Sequence, residues 1–183
     1  MNIADGIDIK GLEVLSDEDM FNYLYDMVFA QIYARYNTEC IMETIGLDIL
    51  KLGMPLEEIS TIHNYISPED LIIRKGAVSA RLNEKIIIPF NMKDGSLICT
   101  GNGNAAWNMS APHGAGRLMS RSKAKKELSL EEAKEQMKGI YTSCIPLDEA
   151  PDAYKSAKMI KDAIRPTASI VEEVKPIMNL KAN

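Results

Sequence analysis

The apolar pattern of this chain changes period near residue 70, and a fold built from helices alone or strands alone cannot accommodate that change. Before it, Met20, Leu24, Met27, Val28, Gln31 and Ile32 recur at helical spacing. Ser16 followed by Asp17, Glu18 and Asp19 reads as the start of that helix, with acids in the first turn. Helical spacing, with or without a break, reaches Leu52, where Gly53 and Pro55 end it. Tyr23, Tyr33, Tyr36 and the methionines read as packing residues of this segment. After the change, Leu71-Ile72-Ile73 and Lys85-Ile86-Ile87-Ile88 are short β-branched runs, and Ser96-Leu97-Ile98-Cys99 is a further strand. Asn83-Glu84 and Lys93-Asp94-Gly95 supply turns. Farther on, Ser129-Leu130-Glu131-Glu132 is a capping box opening a helix through Met137. Pro146 to Pro151 is a connector, Tyr154 to Ile164 a helix, and Ser169-Ile170-Val171 with Val174 a last strand before Pro176. Helices gathered first and strands in the middle predict an α+β class, mixed sheets with flanking helices, over a repeating βαβ sheet.

An apolar fraction of 46% in 183 residues is ample for one core. No apolar run approaches the roughly 18 residues that span a bilayer, so no membrane partner is expected. The start, Met-Asn-Ile-Ala-Asp-Gly, lacks the basic and apolar regions of a secretory signal. Cys40, Cys99 and Cys144 are odd in number, widely spaced and without a CxxC pair, which fits reduced thiols in a cytoplasmic protein. A net charge of -5 argues against a surface that binds nucleic acid everywhere. The cations are concentrated instead: Arg117, Arg121, Lys123, Lys125 and Lys126 follow one another closely. Alone, such a run is most often a solvated helix face; a local phosphate-binding surface is the sharper reading.

That run directly follows the stretch richest in chemistry, residues 110–121, Ser-Ala-Pro-His-Gly-Ala-Gly-Arg-Leu-Met-Ser-Arg. An imidazole can attack phosphorus, glycine backbone can lie close to phosphate, and guanidinium groups can neutralise developing charge. The segment from Gly101 to Pro112 reads as loop, which puts His113 where loop gives way to helix. Arg117 and Arg121 would then stand one helical turn apart and face one anion. The chain has one other histidine, His63, and a lone histidine does not make a transition-metal site. Arg74-Lys75-Gly76-Ala77 places two cations before a glycine, a pattern compatible with phosphate and common at strand ends. No Walker A loop occurs, and the adjacent Asp148-Glu149 does not make a paired-carboxylate site.

Taken in order, these segments resemble the C-terminal portion of the RtcB RNA ligase family. The matching stretches are His63-Asn64-Tyr65, Arg74-Lys75-Gly76-Ala77, Ile88-Pro89-Phe90-Asn91-Met92 with Gly95-Ser96, and Ser110 through Arg121. Asp148-Glu149-Ala150-Pro151, Ala153-Tyr154-Lys155, and Lys175-Pro176 with Asn179 and Lys181-Ala182 follow in the same order. The likeness runs from about residue 10 to the end, leaving residues 1–9 as a tail.

The resemblance implies GTP-dependent joining of RNA ends. In that family a histidine at the position of His113 attacks the α-phosphate of GTP and carries GMP on nitrogen. The GMP passes to an RNA 3′-phosphate, opened first where it is a 2′,3′-cyclic phosphate, and a 5′-hydroxyl end displaces it. Manganese is the usual metal. By this resemblance His63 falls on a metal-ligand position and Asn64 on a nucleotide contact. Pro89, Phe90, Asn91, Met92, Ser96, His113, Gly114, Ala115 and Gly116 look like the guanylate-binding loops. Tyr154 matches an aromatic near guanine and Lys181 a lysine that reaches the nucleotide. Arg74, Lys75, Arg117 and Arg121 are phosphate or RNA candidates.

There are departures. Family members are usually more than twice this length, and their first half supplies an aspartate, a cysteine, two further histidines and an Asn-His-x-x-Glu segment. Cys40 and Cys99 lie outside the family's cysteine motif, and Phe90-Asn91 stand where some relatives have Gly-Ser. The expectation is therefore a C-terminal half carrying the guanylylated histidine and part of the metal site. It would be either one subunit of a split enzyme, working with a separate N-terminal half, or an incomplete gene product. The rivals are a non-catalytic RNA- or nucleotide-binding remnant and an independent phosphotransfer enzyme.

Overall fold

The computed structural model describes residues 17–55 and 57–181; Ser16 and the 1–9 tail lie outside them. The chain is α+β, and it divides into two compact units at Pro55/Leu56. The described part of the first unit holds one α-helix, α1 (Asp17–Glu43), continued by a wider, π-helical turn over Thr44–Ile49. The helix forms as its spacing predicts, with three acids in its first turn. The expectation that its tyrosines are packing residues is not met, since α1 buries none of its residues and Tyr23, Tyr33 and Tyr36 are exposed. Its apolar residues are spread round the helix, Phe21, Tyr25 and Phe29 included.

Among its described residues the second unit holds nine strands, β1 (Asn64–Ile66), β2 (Ile73–Lys75), β3 (Ala77–Ser79), β4 (Lys85–Pro89), β5 (Ser96–Gly101), β6 (Ser110–Pro112), β7 (Tyr141–Thr142), β8 (Ala168–Val174) and β9 (Met178–Asn179). Three short helices join them: α2 (Arg121–Glu127), α3 (Leu130–Gln136) and α4 (Ala157–Ala163). The central sheet is antiparallel in the order β4-β5-β8. The other strands form two-stranded antiparallel pairs, β1-β2 and β3-β6, and a parallel pair, β7-β9.

Alternation decides which face of the central sheet is core. Ile86 and Ile88 of β4 and Leu97 and Cys99 of β5 are buried, and Ile160 and Ile164 from the α4 segment join them in one cluster. Burying each such side chain contributes about 2 kcal/mol. Burial also pushes the Cys99 thiol up to about 11, so it is a core atom group and not a nucleophile. Serine caps start all three short helices, with Ser120, Ser129 and Ser156 each accepting from a backbone N–H three residues on. The helix expected from Tyr154 starts three residues later, because Pro151 and the Ser156 cap hold the intervening chain out of helix.

The local setting of His113 differs from expectation. It follows strand β6 directly, and α2 begins only at Arg121. Ser110–Pro112 is therefore strand, paired with Ala77–Ser79, and not loop. Arg117 is extended and bridged to Tyr154, so the two arginines do not share a helix.

Candidate active site

Two strand ends bring the histidine and the Pro89 turn together. At one end of β4, Pro89 is followed by a turn from Phe90 to Gly95 that leads into β5. Phe90 N–H donates to the Gly95 carbonyl (2.8 Å), and Asn91 Oδ1 accepts from the backbone of Lys93 (2.9 Å) and Asp94 (2.8 Å). At the end of β6 the chain turns along that strand end: Ala115 N–H donates to the Pro89 carbonyl at 3.1 Å. The approach is so close that a Cβ on Gly114 would lie 2.9 Å from the Pro89 oxygen. Only glycine leaves that contact unstrained.

These two turns form one wall of a cleft of about 720 Å³. Pro89, Phe90, Asn91, Met92 and Ser96 line it from the first turn, and His113, Gly114, Ala115 and Gly116 from the second. Phe90 and Met92 are themselves buried, so they shape the wall from behind. A second part of the lining carries Arg117, Arg121, Glu149, Tyr154 and Lys181. Three cations against one carboxylate leave an excess of positive charge in a chain whose total is negative. That local excess suits an anionic ligand.

The imidazole of His113 is oriented from behind. Its Nδ1 lies 2.6 Å from the carbonyl oxygen of Gly76. A carbonyl only accepts, so Nδ1 carries the proton and the Nε2 lone pair is left for chemistry. Gly76 sits at φ 68° between β2 and β3, a left-handed conformation that suits glycine. Its own N–H is shared between the His63 carbonyl (2.8 Å) and Asn64 Oδ1 (3.2 Å). His63 stacks on His113 with ring centroids 5.0 Å apart and planes 11° from parallel. The two histidines, 50 positions apart in the chain, are thus neighbours in the fold. His63 and Asn64 stand behind the histidine and do not line the cleft itself.

The four expected phosphate or RNA contacts separate. Arg121 lines the cleft, donates to the Asp148 carboxylate at 2.9 Å, and its side chain is 65% exposed. Arg117 lines the cleft too, but its donors are committed. They reach the Met119 carbonyl (3.1 Å), the Asp148 carbonyl and the Tyr154 hydroxyl (3.2 Å), and its guanidinium lies over the Tyr154 ring at 5.0 Å. Arg117 therefore clamps Tyr154 in place. Lys75 is exposed on β2, away from the cleft lining. Arg74 is 2% exposed, and its donors go to Ser110 Oγ (2.9 Å), the Tyr65 hydroxyl (3.3 Å) and the carbonyls of Asn108 and Met109, with Asp70 at 3.7 Å. A buried, engaged guanidinium is framework, and the structure does not offer it to phosphate or RNA. Asp70 is the counter-charge: burial opposes its ionisation, but Ser67, the Ile72 amide, Arg81 and Arg74 together hold its carboxyl down at about 2.

Glu149, Asn179 and the Gly76 carbonyl are site components beyond those expected from the residues. Lys181 Nζ lies 2.6 Å from Glu149 Oε2, and Asn179 Nδ2 donates to the Met92 carbonyl at 3.0 Å, closing the cleft at the far end of the chain. Spacing could not have found them, because their partners lie 32 and 87 residues away.

The described residues do not by themselves make up a manganese site. No three side chains of His, Cys, Asp or Glu converge among them, whereas such an ion needs several donors from converging segments. His63 alone stands at the expected ligand position.

The family model of the tRNA-splicing ligase RtcB matches residues 9–182. The chain belongs to the RtcB family. It is 31% identical over 193 residues to the RNA-splicing ligase RtcB of Escherichia coli K12, covering 94% of this chain and 45% of that protein. Against the tRNA-splicing ligase RtcB of Aeropyrum pernix it is 29% identical over 161 residues, 71% of this chain and 33% of that one. The Archaeoglobus fulgidus protein described in the same words is 27% identical over 180 residues, 80% of this chain and 37% of its own length. The chain spans less than half the length of these curated relatives, and its match to the Escherichia coli protein falls in that protein's C-terminal part. No described helix is long and apolar enough to cross a membrane.

Proposed function

We propose that this chain is the histidine-bearing half of a GTP-dependent RNA ligase. It would join RNA 3′-phosphate or 2′,3′-cyclic phosphate ends to 5′-hydroxyl ends, in tRNA splicing or RNA repair. The observation that supports this best is the 2.6 Å contact from His113 Nδ1 to the Gly76 carbonyl, beside a cleft with excess positive charge. With its proton committed to a carbonyl, the ring presents Nε2 as the nucleophile. In the first step Nε2 forms a bond to the α-phosphorus of GTP while the bond from that phosphorus to the bridging oxygen breaks, and pyrophosphate leaves. The positive charge then on the ring is shared with Nδ1–H, which the Gly76 oxygen stabilises. An oxygen of the RNA 3′-phosphate next attacks the same phosphorus, freeing Nε2 and carrying GMP to the RNA. The 5′-hydroxyl of the second end attacks the RNA phosphorus, loses its proton, and expels GMP.

The groups that line the cleft divide the tasks among them. The Gly114 amide lies beside the strand end where a phosphate would approach, and Tyr154 supplies an aromatic face fixed by Arg117. Arg121 and Lys181 supply charge. Manganese, where it takes part, requires donors beyond the described residues, which fits a partner half that completes the metal site. A non-catalytic remnant that binds nucleotide or RNA is the second reading, favoured by the single histidine at the ligand position.

The test is transfer of label from α-labelled GTP to the chain with manganese, with and without a separately expressed N-terminal half from a relative. Covalent label that requires the partner and falls at least about 1,000-fold in His113→Ala is expected, since removing a covalent nucleophile leaves only background chemistry. Reversible GTP binding without covalent label in either condition means the remnant. The absence of both label and GTP binding ends the ligase reading and the nucleotide-binding remnant, and leaves only a remnant that binds RNA.

A further inference from the structure

Lys181 is held at both ends. Its backbone N–H donates to Ser143 Oγ at 2.8 Å and its carbonyl accepts from that hydroxyl at 2.9 Å, while Nζ reaches Glu149 Oε2 at 2.6 Å. A lysine side chain carries about 2 kcal/mol of rotamer entropy, so an ammonium without such an anchor samples many positions. The anchor is itself anchored. Glu149 ends the short helical turn Leu147–Glu149, and the preceding residue, buried Asp148, binds Arg121 (2.9 Å) and lies 3.6 Å from Lys125.

The Glu149 carboxylate divides its two oxygens: Oε2 takes Lys181, and Oε1 lies 3.6 Å from Arg121 Nη1. Two cations that both line the cleft therefore converge on one carboxylate. Without it they would repel each other, and Lys181 would turn toward water while Arg121 kept only its bond to Asp148. Neither cation is used up by the arrangement. The ammonium has three N–H groups and the guanidinium five, so most donors remain for a ligand.

We propose that Glu149 is a positioning residue that aims Lys181 and Arg121 at the anionic occupant of the cleft. It acts through the two cations and does not touch the reacting atoms. The idea rests on the nucleotide reading above, since an acid placed in an anion-binding wall is useful only if the gain in order exceeds the loss of charge. The Lys181 hydrogen bond, and then the charges of Lys181 and Arg121, overcome burial and hold the Glu149 carboxyl below the usual glutamate range.

The experiment uses the full chain and two readouts. The first needs no nucleotide: reaction of Lys181 with a succinimidyl ester, followed by peptide mass spectrometry. The bond to Glu149 holds the Lys181 nitrogen against the carboxylate and away from the reagent, so Glu149→Gln is expected to react at least about threefold faster at Lys181, with other lysines unchanged. An unchanged rate overturns the proposal. The second readout is GTP affinity by calorimetry. Glu149→Gln and Lys181→Met are each expected to weaken binding about tenfold, the lower range for a hydrogen bond to a charged group because both side chains are partly exposed. The double variant should fall far short of the additive loss, exceeding either single one only by the part that acts through Arg121, and Glu149→Asp should recover part of the loss. Additive losses, about 100-fold together, mean independent groups and overturn the proposal. A wild-type chain that binds no GTP removes the nucleotide reading and the positioning role with it. The labelling rate then separates that failure from failure of the ion pair.

Discussion

The two walls of the cleft are built on different principles. One is made of main chain: the ends of β4 and β6, tied by the Ala115 amide to Pro89 and by His113 to Gly76, with a single ionisable side chain. The other is made of charge: Arg121, Glu149 and Lys181, held by ion pairs between partly exposed side chains. Backbone hydrogen bonds among packed strands fix atoms to within tenths of an ångström. Ion pairs near water fix them loosely and cost little to rearrange. The division suits a reaction in which one nitrogen must meet one phosphorus while the surrounding charges shift from step to step.

If the first wall depends on the framework behind it, the largest effect should come from a residue that never enters the cleft. Arg74→Met removes a buried guanidinium together with its bonds to Ser110, Tyr65 and the Asn108 and Met109 carbonyls, and takes from half-buried Asp70 one of its two cations, Arg81 being the other. It is expected to lower stability by about 3 kcal/mol, read as a shift of the urea midpoint at constant slope. GTP labelling at His113 should fall with it, because β6 carries both Ser110 and the strand end that precedes the histidine. A variant of unchanged stability that loses only RNA binding would break the contrast and return Arg74 to the substrate surface.

The framework was only partly legible in the sequence, for identifiable reasons. β4 and β5 are readable because their alternating residues face a core on one side, so Ile86, Ile88, Leu97 and Cys99 carry the period themselves. α3 is readable because its cap, Ser129, is local. β6 is not: three residues, one of them proline, hold their strand only through pairing with Ala77–Ser79, more than 30 positions away. α1 is readable as a helix and misleading as packing, since periodicity reports what a face could bury and not whether anything is there. Within the site, the ordered motif led to thirteen of the residues that line the cleft, yet their tasks were not in the letters. Arg74 and Arg121 look equivalent as cations near glycine or serine. One is spent inside the fold and the other faces solvent, a difference set by Tyr65, Ser110 and Asp148.

A smaller effect sharpens the account of the first wall. Gly114→Ala puts a methyl group 2.9 Å from a backbone oxygen that cannot swing aside. The strand end and the histidine turn must separate by several tenths of an ångström, at about 2 kcal/mol. Thermal unfolding should show the loss, and covalent labelling should drop further than stability alone explains, because the displaced turn carries His113. Equal losses in the two measurements would mean that the turn relaxes without moving the imidazole.

The smallest effect belongs to the second wall, and its sign with pH identifies the cause. The Glu149 carboxyl is depressed by Lys181 and Arg121 in the folded chain. A depressed carboxyl contributes stability that is complete above its unfolded value, about 4.3, and is lost as pH falls through the folded one. Glu149→Gln should therefore be less stable than wild type at pH 7 by no more than about 1 kcal/mol, the range for partly exposed pairs. The gap should close below pH of about 4 as the wild-type carboxyl takes up its proton. It should also shrink in about 1 M salt, where screening acts over roughly 3 Å. Parallel denaturation curves of the two proteins across pH give the comparison directly. A gap that persists in acid would assign the loss to packing of the glutamate stem, and the second wall would then be held, like the first, by fit and not by charge.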